Sequence, residues 1–286
     1  MDIHIARRGQ PEYPLGAGQM HKPPECLYYR GDLKACLATK RVAIVGSRRM
    51  STYGKQVTTT FARELAEQGI VIVSGLALGV DAQAHHSALA AGGRCLAVLP
   101  CPLDNIVPAT NRRLAEQIMQ AGGVLVSQYP PGSEVYKGNF VARNELVAAL
   151  SDVLLITEAA AGSGSLHTAN FASTMQTEVR AVPGNITSPL SAGTNGLLRA
   201  GQAGAVTRTQ DVLHALGIFA PRARHLPKGA TPQEQQLLDL ITHDVHDGEA
   251  LLAASHQPVT IFNQTLTMLE ITGKVIPLGA NTWGLP

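Results

Sequence analysis

The sequence predicts an α/β protein, a doubly wound parallel sheet followed by a small winged-helix domain. Three observations carry that expectation. Between residue 41 and about residue 216, short apolar runs alternate with segments of helical spacing, the rhythm of βαβ units. Glycine is abundant, 28 of 286 residues, while aromatics make up only 4%, which suits a tightly wound α/β sheet better than an all-β sandwich. Beyond a proline- and charge-rich stretch at 221–232 (PRARHLPKGATP) the rhythm gives way to three short helical patterns.

Taken in order, residues 1–40 carry Pro11, Pro14, Pro23 and Pro24 without sustained periodicity. They read as an extended lead-in with a short helix near 33–38. Strands follow at 42–45, 70–73, 95–99, 124–126, 153–156 and 179–182, with helices at 53–68, 80–91, 111–121, 140–150 and 165–175. These fill a domain at 41–220. After the 221–232 linker, the domain at 233–286 has helices at 233–242, 248–254 and 259–271. The second opens after Asp247 and the third at Pro258, both good helix starts. Strands at 274–277 and 281–284 about a Gly279-Ala280 turn complete a winged helix.

Composition narrows the function. No apolar run approaches the roughly 18 residues of a membrane helix, and the N-terminal segment is polar, so a cytoplasmic protein with no membrane contact is expected. Cys26, Cys36, Cys95 and Cys101 lack metal-site spacing and read as reduced structural thiols. The net charge of +2 hides a split. From Lys228 onward there are two basic and six acidic residues, a net of −4, which leaves +6 on the rest. A polyanion partner is therefore expected on the larger, N-terminal part.

Ligands of open parallel sheets bind beyond the carboxyl ends of the strands, and four of the six strands end there in a glycine loop. These are Gly46-Ser47-Arg48-Arg49, the 74–81 loop with Gly75 and Gly79, the 158–165 loop with Ser163-Gly164-Ser165, and Pro183-Gly184-Asn185. Glycine lets backbone N–H groups approach an anion closely. Arg48 and Arg49 add charge, and the serine loop opens a helix. Lys137 and Arg143 can meet phosphates, and Phe140, beside Asn139, can stack on a base. Asn144 completes this segment. Phosphate or phosphodiester binding is the expectation. The dinucleotide fingerprint G-x-G-x-x-G and the G-x-x-x-x-G-K-[ST] loop are both absent. Asp81, which reads as a helix cap, His85 and His167 form no convincing catalytic or metal set. No catalytic residue, cofactor or metal is expected.

The loops resemble those of the DNA-processing protein A (DprA, or Smf) family over essentially the whole chain from Pro11. VAIVGSRRMSTYG, SGLALGVDAQAH, VLPCPLDNIVPATNRRL, NFVARNELVAALSDVLLITEAAAGSGSLHTA and AVPGNITSPLSAGTNGLLRAGQA follow the family's order and spacing. The resemblance implies an extended Rossmann-like domain that binds single-stranded DNA without sequence preference. It also implies a homodimer, loading of RecA and a role in natural transformation, with no catalytic activity. The implied contacts are Arg48 or Arg49, Lys137, Asn139, Phe140 and the 163–165 loop. Many members carry a sterile-alpha-motif-like N-terminal domain that is not seen here. Glu145 and Leu78 stand where the family usually has basic or polar residues, and are expected to lower the positive charge near the site. The competing expectation is a nucleotide-binding enzyme resembling lysine-decarboxylase-like phosphoribohydrolases. Their P-G-G-x-G-T-x-x-E signature is not matched by EAAAGSGSLHTA.

Overall fold

The computed structural model describes residues 2–219, 227–243, 245–279 and 281–285. The chain divides into two compact units, Met1–Phe219 and Ala220–Pro286. The first holds a nine-stranded sheet. Its strands are β1 (His4–Arg7), β2 (Cys26–Gly31), β3 (Arg41–Gly46), β4 (Val71–Ser74), β5 (Cys95–Leu99), β6 (Val124–Ser127), β7 (Val153–Glu158), β8 (Glu178–Ala181) and β9 (Gly204–Ala205). They lie in the order β1-β2-β6-β5-β4-β3-β7-β8-β9. β6 to β9 with β3 to β5 run parallel, while β2 pairs antiparallel with β6 and β1 antiparallel with β2.

The sheet is buried on both faces because alternate residues of each strand enter different cores. In β5, Cys95, Ala97 and Leu99 join one cluster, and Leu96 and Val98 the other. The first face is covered by α2 (Thr52–Glu67), α3 (Val80–Ala90), α4 (Arg112–Gln120) and α8 (Thr209–Ala215). The second takes α1 (Leu33–Leu37), α5 (Lys137–Ala149), α6 (Ser165–Thr174) and α7 (Ala192–Arg199). The chain winds from β3 out to β6 in one direction. α5 then carries it back to β7 beside β3, and it winds on the other way.

The lead-in expected at residues 1–40 is corrected. Its prolines sit in a connection, and CLYYRG and HIAR on either side of it are strands that extend the sheet. The prolines between them and the pairing of β2 with a segment about 100 residues away hid the signal. Leu27 is fully buried, and Tyr13 and Ala17 of the connection are also in the core. The sheet is accordingly mixed rather than wholly parallel. Of the four cysteines, all free, Cys36, Cys95 and Cys101 are buried, and burial pushes the Cys36 thiol up to about 11. No helix among the described residues is long and apolar enough to cross a membrane.

The second unit contains α9 (Pro232–Thr242), α10 (Gly248–Ser255), α11 (Val259–Ile271) and a hairpin of β10 (Ile276–Gly279) and β11 (Thr282–Gly284). The hairpin starts two residues later than the apolar pattern suggests, and residues 221–226 of the expected linker and Ala280 of the hairpin turn lie outside the described residues. Thr231 caps α9 and Asp247 caps α10 through side-chain oxygens. Leu237, Leu251, Phe262 and Leu269 form the small core.

If the N-terminal strands are integral to the sheet, Leu27→Ala should destabilise the protein by about 2–5 kcal/mol, the cost of a cavity in a packed core. Urea unfolding checks this, and a value near zero would mark the segment as an appendage.

Candidate nucleic-acid interface

The direction of winding reverses between β3 and β7, whose carboxyl ends diverge into α2 on one face and α6 on the other. That divergence leaves the crevice in which α/β sheets take their ligands. A cavity of about 590 Å³ opens there. The 46–49 loop and the 160–165 region line it, with Asp81, Arg143 and Asn144 also in its wall.

The arginine loop is held at both ends by the last residue of β7. The Glu158 carbonyl accepts the Ser47 N–H at 2.8 Å. The Glu158 carboxylate, 2% exposed, accepts the Ser51 N–H at 2.8 Å and also the Ser51 hydroxyl. Ser51 in turn caps α2 by accepting the Gly54 N–H at 3.0 Å. Arg48 and Arg49 are exposed between these anchors. Arg48 lays its guanidinium over the half-buried Phe140 ring, 5.7 Å from the centroid, a cation–π contact of about 0.5–1 kcal/mol at an exposed site. The arginine loop and the start of α5 thereby meet.

The next loop packs beneath the first. Gly79, with φ +79°, precedes α3, and a Cβ there would run into the Ser47 and Arg48 backbone. The Val80 N–H donates to the Ser47 carbonyl at 3.1 Å. Across the crevice, the Ser163 and Ser165 hydroxyls are 2.8 Å apart. Gly164 precedes α6 without capping it by a side chain, and the first N–H groups of that helix turn back on the loop, Ser165 toward the Ser163 hydroxyl at 3.4 Å and Leu166 toward the Ser163 carbonyl at 3.1 Å. The Asn144 amide donates to the Gly164 carbonyl at 3.3 Å. The fourth loop is tied in by Tyr53, whose hydroxyl donates to the Pro183 carbonyl at 2.7 Å.

The candidate residues therefore separate into two groups. Arg48, Arg49, Lys137 and Gly164 are exposed, and Phe140 and Ser163 are partly so. Ser47, Gly75, Asn139, Arg143 and Ser165 are buried, and Gly46 and Asn144 are half-buried. Arg143 is corrected as a phosphate contact. It is 3% exposed and donates to the Gly75 carbonyl and, at 3.0 Å, to the Val98 carbonyl. Gly75 is corrected as an anion cradle, because its N–H donates to the Asp81 carboxylate at 3.1 Å. The Ser47 N–H is likewise committed to Glu158.

Asp81 is the second residue of α3 rather than its cap. Burial pushes its carboxyl above the ordinary carboxylate range, against the opposing pull of Arg143 and the Ala77 and Gly75 N–H groups. Glu145 accepts the His21 N–H at 2.7 Å, so its charge is committed to the N-terminal segment. Leu78 is 50% exposed on its loop. Sequence reasoning missed Glu158 and Ser51 as anchors. A serine just before a helical segment is a capping signal that could have revealed the second. Among the described residues no cluster of three or more His, Cys, Asp or Glu could hold a metal.

An extended Rossmann-like α/β protein with a switch-point crevice walled by arginine and serine loops is the class defined so far. The profile of the DNA recombination-mediator protein A family matches residues 4–217, and the chain belongs to that family. The protein Smf of Synechocystis is 42% identical over 176 residues, 60% of this chain and 44% of Smf. This chain thus spans under half of that relative's length. The Escherichia coli protein Smf is 35% identical over 261 residues, 88% of this chain and 69% of Smf. The solved structure of DNA processing protein A from Helicobacter pylori concerns its single-stranded DNA binding mode. It aligns with a TM-score of 0.68 at 39% identity, covering 76% of this chain and 96% of that one.

Two outcomes follow from the buried groups. Arg143→Ala should cost about 3–5 kcal/mol in urea unfolding, since it leaves Asp81 buried without its cation, whereas Arg48→Ala should cost under about 1 kcal/mol. Beneath the loops, His85 is fully buried with neither ring nitrogen in a well-formed hydrogen bond. Burial lowers it to about 3, against a smaller upward pull from the nearby Ser74 backbone. The unfolded chain then binds this proton more readily than the folded one. The His85 share of stability is full above about pH 6.5 and falls by about 1.4 kcal/mol per unit as pH drops toward 3. Between pH 7 and pH 5 the parent should lose about 2 kcal/mol more than His85→Phe. Asp81, shifted upward, acts with the opposite sign in both proteins and cancels from the comparison.

Proposed function

We propose that this chain binds single-stranded DNA without base-sequence preference across the carboxyl edge of its sheet, and that it helps load RecA in natural transformation and recombination. The observation that carries the reading is the switch-point crevice, with Arg48 and Arg49 exposed on a loop held by the buried Glu158 and Lys137 exposed at the start of α5. Arg48, Arg49 and Lys137 meet backbone phosphates. Phe140 stacks on a base, and Gly46, Ser163, Gly164 and Ser165 shape the path between them. Asn139 and Asn144 position that path, with Ser47, Gly75 and Arg143 beneath it. The H. pylori relative's single-stranded DNA binding supports the reading.

The protein acts as a homodimer in the cytoplasm, without catalysis or cofactor. Its second unit is a winged helix that does not carry the strand, because from Lys228 onward the net charge is −4. The phosphoribohydrolase reading has an obstacle in Glu158, the carboxylate it would use, which is buried against Ser51.

With about three phosphate contacts, affinity for an oligonucleotide should fall with log salt at a slope of roughly −2. Anisotropy titrations test this, and equal affinity for duplex would overturn the single-strand reading. Arg48→Ala and Lys137→Ala should each weaken binding while Lys228→Ala leaves it unchanged. If only the last loses affinity, the site lies on the other unit. Phe140→Ala should cost about 1–3 kcal/mol of binding.

A further inference from the structure

Beyond β5 the carboxyl edge of the sheet carries two cations that the crevice does not use. Arg112 and Arg113 open α4, and both are exposed. Neither joins an ion pair among the described residues, and Glu116, a turn further on, is bonded to neither. Asp104, in the connection that leads to them, has its carboxylate occupied by the Gly132 N–H at 3.0 Å. Two adjacent arginines at a helix start are ordinary solvated surface unless something ties them to a site, and here a chain of hydrogen bonds does.

The Asn111 amide, immediately before them, donates to the Leu76 carbonyl at 2.8 Å. Leu76 belongs to the loop after β4. That loop is locked to the arginine loop on its other side, where the Val80 N–H donates to the Ser47 carbonyl at 3.1 Å. The order along the edge is therefore fixed. The serine loop follows β7, Arg48 and Arg49 follow β3, the 75–79 loop follows β4, and Arg112 and Arg113 end the connection from β5. The strands behind the two arginine pairs are separated by two strand spacings, about 10 Å at the level of the sheet. Between them lies Leu78, 50% exposed. Because α5 packs on the second face and α4 on the first, the row from Lys137 to Arg113 crosses the edge from one face to the other.

We propose, on the reading that the crevice binds single-stranded DNA, that the strand continues past it over Leu78 to Arg112 and Arg113. The two arginines bind its next phosphates. Leu78 offers apolar surface to bases that have no complementary strand to cover them. An apolar side chain between two cationic ends suits a ligand whose charge lies on its backbone and whose bases present apolar faces.

Anisotropy titrations of the full chain test this with thymidine oligonucleotides of two lengths. One of about four nucleotides fills only the crevice, and one of about twenty reaches α4. Two contacts added to the three at the crevice should steepen the salt slope from roughly −2 on the short strand to roughly −3.5 on the long one. Arg112→Ala combined with Arg113→Ala should return the long strand to the slope of the short one. It should also weaken the long strand at least about fivefold at low salt, with the short strand held as tightly as by the parent. Leu78→Ser should weaken the long strand without changing its slope, since it removes no charge. Both variants should keep the parent's urea midpoint. An unchanged slope and affinity for the long strand in the double variant would overturn the proposal. So would equal weakening of both lengths, which makes the effect one of net charge rather than of a path, or undiminished long-strand binding by Leu78→Ser. Arg48→Ala should weaken both lengths; if it weakens neither, the crevice reading itself fails, whatever α4 does.

Discussion

The guanidinium of Arg143 ties the two faces of the sheet together. It leaves α5, on the second face of the sheet, and reaches the carbonyl ends of Gly75 after β4 and Val98 in β5, with Asp81 of α3 beside it. Strand ends leave carbonyls without ladder partners, and burying them unpaired would cost about 1–3 kcal/mol each. One planar fork satisfies two of them and neutralises a carboxylate taken out of water. The start of α5, where Lys137 and Phe140 stand, is thereby fixed relative to the loops.

Glu158 plays the matching part at the switch point. Its backbone carbonyl and its carboxylate hold the two ends of the arginine loop, so Arg48 and Arg49 project from a braced segment rather than a free one. Binding a flexible polyanion by a few phosphate contacts is sensitive to the entropy of ordering the protein's own side chains. The stacking of Arg48 on Phe140 removes part of that cost before any ligand arrives. The glycines contribute chiefly by permitting close packing among the loops, as Gly79 does against Ser47 and Arg48, and less by baring their N–H groups to solvent.

Much of this was legible before the structure. The six parallel strands and their helices follow from apolar periodicity, and the edge where the loops gather follows from the βαβ rule. Two kinds of information were not. β1 and β9 are too short to show alternation, and β2, though as long as β3, is identified as a strand only by its pairing partner. β2 is defined by β6, far along the chain. Nor does the sequence tell an exposed arginine from a buried one. Arg48 and Arg143 both lie in motif segments, and only the fold sends the first to solvent and the second to the ends of β4 and β5. The Ser51–Glu158 partnership left no sequence signal because it spans 107 positions.

The antiparallel strands at the N-terminal edge have a temporal consequence. β1 and β2 leave the ribosome before the other strands of this sheet. Tyr28 finds its partner Ser127 only after about 100 further residues have been made, and β3 waits longer still for β7. Contacts of such separation are slow to form, because the loop must close before pairing repays it. The nascent β1–β2 hairpin, carrying Leu27 and Tyr28, is therefore an unsatisfied apolar edge through much of synthesis, when unpaired strands are most open to wrong partners. Arg7 at the end of β1, with the Arg8–Glu25 ion pair just beyond it, puts charge on this edge, which discourages the waiting hairpin from pairing with another copy of itself.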